Sequence, residues 1–161
     1  MHIHHGERPS HERQRRGRLS GGPALMDREL FEAAKAVRLR AHDRYSNFKV
    51  GVALRTAAGT VHTGCNVENA AFPEGSCAET GAIGHMVASS DPGDGRRIVE
   101  VTVVANAIDG RPTTPCGGCR QRLAEFGSPD TPVHCYDPEG RGATWPLGEL
   151  LPQSFELKGR P

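Results

Sequence analysis

The chain has 161 residues and a mass of 17.3 kDa, with 36% hydrophobic side chains, 20 glycines and 12 prolines. That is the size and composition of one ordinary globular domain, which excludes a fibrous or wholly disordered protein. No run approaches the ~18 apolar residues needed to cross a bilayer. The net charge of +1 conceals an asymmetry: residues 1–25 carry five Arg against two Glu, and the remainder 15 Lys or Arg against 17 Asp or Glu.

Residues 1–25 are rich in Arg and His (His2, His4, His5, His11) and poor in apolar side chains, so they read as a disordered basic tail. A nucleic-acid-binding arm is the alternative, and the segment lacks the apolar stretch of a secretory signal. The folded domain is expected over 26–161. Leu30, Ala34, Val37 and Ala41 recur at helical spacing, predicting an amphipathic helix from Asp27 to His42. Val50, Val52 and Leu54 alternate as in a strand; Ala57-Ala58-Gly59 supplies a turn, and Thr60 to Gly64 returns as the second arm of a hairpin. Cys77 to Ser89 reads as a second helix, stopped by Asp91-Pro92-Gly93-Asp94-Gly95. Ile98 to Ala105 is a nearly continuous β-branched run, as expected of a strand buried on both faces. Cys116 to Phe126 gives a third helix after Pro115. Val133 to Tyr136 and Ala143 to Trp145 are short strands, and Leu147 to Leu151 a final short helix. The order αββαβαββα predicts an α/β domain, its sheet sandwiched between helices and parallel at least between Ile98 and Tyr136.

Five cysteines (Cys65, Cys77, Cys116, Cys119, Cys135) leave one unpaired under any disulfide scheme, which points to a reducing, cytoplasmic setting and to metal or catalytic chemistry. Cys116-Gly117-Gly118-Cys119 is a C-x-x-C at a predicted helix start, and Cys77-Ala78-Glu79 opens another helix. Helix N-termini favour thiolate, the metal-binding form. Three thiolates around Zn²⁺ leave a fourth tetrahedral position open, the mark of a catalytic site, and Glu79 is placed to act as general base. The alternative is a closed structural site with Cys65 or Cys135 as fourth ligand, although Cys135 reads as a small apolar filler in a buried strand. C-x-E followed by P-C-x-x-C fits the zinc-deaminase signature, with Cys in place of His.

Further motifs stand in a specific order: Tyr45-Ser46-Asn47-Phe48-Lys49-Val50-Gly51, Gly64-Cys65-Asn66-Val67-Glu68-Asn69-Ala70-Ala71-Phe72-Pro73, Pro115-Cys116-Gly117-Gly118-Cys119-Arg120-Gln121, and Leu150-Leu151-Pro152 followed by Phe155. With these the chain resembles the small, homotetrameric, three-cysteine cytidine deaminases that act on free nucleosides, over roughly Met26 to Phe155. The resemblance implies a three-layer α-β-α sandwich with a five-stranded mixed sheet and one Zn²⁺ per subunit held by Cys77, Cys116 and Cys119. It implies hydrolysis of cytidine, and of 2′-deoxycytidine, to uridine and ammonia in pyrimidine salvage, with Glu79 carrying protons. It also implies that Asn66 and Glu68 hold the ribose hydroxyls, that Phe48 packs on the pyrimidine and that the backbone N–H of Ala78 orients it. By the same resemblance Phe155 reaches into a neighbouring subunit's site.

Asn66 and Glu68 as plain turn residues are the alternative to sugar binding. The chain also departs from the family. Thr80 stands after Glu79 where most three-cysteine relatives have Arg, and supplies no charge to offset the thiolates, so the two helix N-termini and Arg120 beside Cys119 are expected to carry that compensation. Glu74 stands where relatives often carry an apolar residue, and Arg44 where many have Pro. A deaminase of a modified aminopyrimidine nucleoside such as blasticidin S and a non-catalytic zinc-stabilised binding module are the other readings. The acidic body and only eight aromatic residues argue against a polynucleotide substrate, and no membrane partner is expected.

Overall fold

A computed structural model describes residues 26–157; the expected basic tail at 1–25 lies outside the described residues. Helix α1 (Arg28–Arg38) is followed by strands β1 (Val50–Thr56) and β2 (Val61–Cys65), helix α2 (Ala78–Ser89) and strand β3 (Ile98–Ala105). Helix α3 (Gly117–Phe126), strands β4 (Pro132–Tyr136) and β5 (Gly142–Pro146), and the one-turn helix α4 (Leu147–Leu150) complete the domain. The five strands form one mixed sheet in the order β2-β1-β3-β4-β5. Within it β3 and β4 pair parallel, and every other neighbouring pair is antiparallel. No helix among the described residues is long and apolar enough to cross a membrane.

Strand alternation divides the core in two. Val52 and Leu54 of β1, Val101 and Val103 of β3, and Val133 and Cys135 of β4 face α2 and α3, where Ala82, Met86 and Leu123 meet them. Ala53 and Val104 face the other way, onto Leu30, Phe31 and Ala34 of α1. The result is the expected three-layer sandwich, and β3 is buried on both faces because it sits at the centre of the sheet.

Helix α1 starts where Asp27 caps it, its carboxylate accepting from the Leu30 N–H at 3.0 Å. It ends at Arg38, short of the predicted His42. The reason is a competing pairing: the His42 N–H donates to the Asn66 carbonyl at 3.0 Å, and the His42 carbonyl accepts from the Glu68 N–H at 2.8 Å. The chain therefore leaves the helix to form a bridge with Val67.

Two glycines set how closely the helices approach the sheet. A Cβ on Gly51 would run into the backbone of α1 at Ala34 and Arg38, and one on Gly64 into the backbone of α2 at Ala78 and Ala82. Gly51 pairs with Cys65 and Val52 with Gly64, so both close approaches lie at the same end of the β1–β2 ladder. Gly64→Ala is expected to lower stability by about 2 kcal/mol by forcing α2 off β2, measured as a reduced urea midpoint at unchanged slope.

Candidate active site

Strands β2, β3 and β4 run in one direction, since β2 and β3 are both antiparallel to β1 and β3 is parallel to β4. Helix α2 links β2 to β3, and α3 links β3 to β4. Both helices therefore begin over the same end of the sheet, the end at which these strands finish. Cys77 is the N-cap of α2 and Cys116 the N-cap of α3, and neither thiol caps its own helix. Cys119 follows within the first turn of α3.

The three sulfurs lie within 4.8 Å of one another, with Cys77 and Cys116 Sγ 3.9 Å apart. Tetrahedral zinc with ~2.3 Å Zn–S bonds requires S···S separations of about 3.8 Å, so the donor set fits zinc in both chemistry and spacing. Cys65 and Cys135 are outside this cluster, and no fourth protein ligand joins it among the described residues. Cys135 is buried in β4, and burial pushes its thiol up to about 12.

Glu79, at the second position of α2, is only 4% exposed. Burial raises its carboxyl above the ordinary carboxylate range, while its own backbone N–H, the Cys119 thiol and the Arg122 guanidinium pull the other way. Burial likewise raises Cys119, with the Glu79 charge adding to it, and raises Cys77. For Cys116 burial acts upward too, but hydrogen bonds from the backbone N–H and thiol of Cys119 and from Cys77 outweigh it, and the net shift is downward. Arg120, expected with the helix N-termini to offset the thiolate charge, makes no hydrogen bond to the sulfurs. Its Nε donates to the Pro115 carbonyl at 2.8 Å, Nη1 to the Leu150 carbonyl at 2.8 Å and Nη2 to Thr114 Oγ1 at 3.0 Å.

The segment with Asn66 and Glu68 is tied to the ligand segment by backbone bonds: the Val67 N–H donates to the Ser76 carbonyl at 2.9 Å and the Ser76 N–H to the Val67 carbonyl at 2.8 Å. Asn66 and Glu68 are therefore held beside the stretch that leads into Cys77. The Asn66 carboxamide accepts from the Val50 N–H at 2.8 Å and donates to the Phe48 carbonyl at 2.9 Å. One N–H and one lone pair remain for a further partner. Glu68 accepts from the Tyr45 N–H at 2.8 Å, from the Ser46 N–H at 3.2 Å and from the Ser46 hydroxyl. The Ser46 hydroxyl, followed by the Tyr45 N–H, holds this carboxyl below its ordinary range.

Tyr45, Ser46, Glu68, Asn69 and Phe72 line a cleft of about 390 Å³. Tyr45 and Phe72 meet edge to face at 5.8 Å, and Phe72 is 75% exposed. Ser46, Asn69 and Phe72 carry no chemistry that marks them individually, although all three stand in the quoted motifs. Phe48 is half-buried, its N–H donating to the Ser46 hydroxyl at 3.0 Å. Ala78 is fully buried at the start of α2, and Glu74 is exposed. Phe155 is not part of this cleft. Its backbone is clamped by Gln121 of α3, which donates to the Phe155 carbonyl at 2.9 Å and accepts from its N–H at 3.0 Å. The residue itself is 68% exposed.

A family model for the cytidine and deoxycytidylate deaminase zinc-binding region matches residues 25–135. A cytidine deaminase from Sporosarcina psychrophila is 37% identical over 127 residues, spanning 79% of this chain and 89% of that protein. One from Halalkalibacterium halodurans is 39% identical over 132 residues, spanning 81% and 95%. Among solved structures, cytidine deaminase from Burkholderia pseudomallei superposes with a TM-score of 0.71 at 40% identity, covering 81% of this chain and 100% of that one. Replacing Cys77, Cys116 or Cys119 singly by Ala is expected to abolish stoichiometric zinc, whereas Cys65→Ala retains it, as measured by metal analysis of the purified proteins.

Proposed function

Because this chain belongs to the cytidine and deoxycytidylate deaminase family of zinc-dependent hydrolases, we propose that its site hydrolyses cytidine to uridine and ammonia. The observation that carries this reading is the meeting of three thiols at two helix N-termini with a buried carboxylate beside them. Cys77, Cys116 and Cys119 would hold the ion. Bound there, zinc supplies a Lewis acid that makes water nucleophilic near neutral pH.

Glu79 accepts the proton from water as oxygen adds to C4 of the ring, and delivers a proton to N3. It then transfers the second proton to the departing amino group, which leaves as ammonia. A buried carboxyl whose proton affinity is raised is suited to both halves of that transfer. Asn66 and Glu68 are assigned to the ribose, an amide and a carboxylate being complementary to hydroxyl donors and acceptors. 2′-Deoxycytidine retains the 3′-hydroxyl for this pair, so it is assigned as a second substrate within pyrimidine salvage. Phe48 is assigned to the pyrimidine face, and the Ala78 N–H to orienting the ring.

Oligomerisation completes this reading. The cleft is open on one side, where Tyr45 and Phe72 are exposed, and Phe155 extends from a clamped backbone with its side chain exposed. A homotetramer in which Phe155 of one copy closes the cleft of another accounts for both features. The free cysteines suit a cytoplasmic location.

Glu79→Gln is expected to lower kcat by about 10³-fold, within the range of general acid–base catalysis, while zinc content stays at the wild-type level. Full turnover in this variant, or none in the wild type with cytidine, overturns the proposal. Phe155→Ala is expected to raise KM for cytidine with a smaller effect on kcat, and light scattering on the wild type should give four times the 17.3 kDa chain mass.

A further inference from the structure

Three thiolates and one divalent ion sum to a net charge of −1, and the buried Glu79 carboxylate adds another negative charge at the same place. Helix α2 brings no cation there, since Thr80 and Gly81 follow Glu79. Arg120 keeps its charge, but three neutral acceptors, the Pro115 and Leu150 carbonyls and Thr114 Oγ1, draw its guanidinium toward the 114–115 loop and α4. Arg122 is different. It has no hydrogen-bond acceptor and no ion-pair partner among the described residues, yet its guanidinium is folded back toward the start of α3. Nη1 stands 2.9 Å from the position a Cβ on Gly118 would occupy. Gly118 lies between Cys116 and Cys119, inside the C-x-x-C turn, and the Arg122 charge is felt at Glu79.

We infer that Arg122 supplies the positive charge that offsets the thiolates of the zinc site, and that the missing side chain at Gly118 makes room for its guanidinium. This rests on the zinc-hydrolase reading of the three cysteines. Arg122 is a positioning residue here: it acts on the site through its charge, and it holds no metal and touches no substrate. Residues 118 and 122 are one helical turn apart, so they share a face of α3. A Cβ at Gly118 would meet only Arg122 side-chain atoms within 4 Å. Gly118→Ala therefore displaces the guanidinium while keeping it in the protein. Alanine is also the better helix former, so a loss in this variant does not reflect a weaker helix.

The test is a zinc-affinity measurement by chelator competition on the purified holoenzyme, at one pH, for the wild type and for Arg122→Gln, Arg122→Lys and Gly118→Ala. Circular dichroism verifies the fold of each. Partners of metal ligands are worth 10–100-fold in affinity, and an exposed guanidinium, screened by salt, belongs at the lower end. Arg122→Gln and Gly118→Ala are each expected to bind zinc about 10-fold more weakly. Arg122→Lys should recover most of the loss, and the deficit of Arg122→Gln should shrink at high salt. Wild-type zinc affinity in both Arg122→Gln and Gly118→Ala overturns the inference and leaves the hydrolase reading standing. A wild-type protein that binds no zinc overturns both.

Discussion

The site depends on a constraint of chain direction. The two crossover helices cover the same face of the sheet, and each follows a strand of the same polarity, so their first turns must meet over one end of it. Residues at the N-caps of α2 and α3 are thereby brought together although they are 39 positions apart. That end is also where the helix dipoles present their positive poles, which lowers the cost of gathering thiolates and a carboxylate. Open α/β sheets place their ligands outside the carboxyl ends of the strands for the same reason. Gly64 makes the constraint tight, because without a side chain there the first turn of α2 rests directly on β2.

Around this fixed end the substrate side is assembled from backbone pairing. The 66–68 segment is bonded on one side to His42 and on the other to Ser76, so three stretches of irregular chain behave as a small sheet. Asn66 and Glu68 use part of their hydrogen-bonding capacity to hold the 45–50 segment. The side chains assigned to the ribose are thus oriented before any nucleoside arrives, which reduces the ordering cost of binding.

Much of this was legible in the chain itself. The strand alternation at Val50–Leu54, the β-branched run at Ile98–Ala105 and the helical clustering of Ala82, Ile83 and Met86 marked the elements, because each reports a periodic burial pattern. Cys77, Cys116, Cys119 and Glu79 were legible because their chemistry is rare and their positions at helix starts are explicit. The end of α1 was not: its periodicity continues to Ala41, and only pairing with the distant Val67 stops it. Gln121 stands in a motif that does not disclose its role, since its clamp on Phe155 depends on the path of a C-terminal segment that has no periodicity.

The two arginines of α3 show why adjacency in sequence is a poor guide to adjacency at a helical site. Arg120 directly follows Cys119, but one residue along a helix is a turn of about 100°, and this carries the side chain toward the 114–115 loop and α4. There it holds the carbonyls of Pro115 and Leu150, fixing the approach to the ligand turn. Arg122 is farther along the chain, yet a further two residues bring its face round to that of Gly118, and a long side chain pointing back toward the N-terminus spans the remaining turn. One arginine thus shapes the loop that presents the thiols, and the other brings charge toward them.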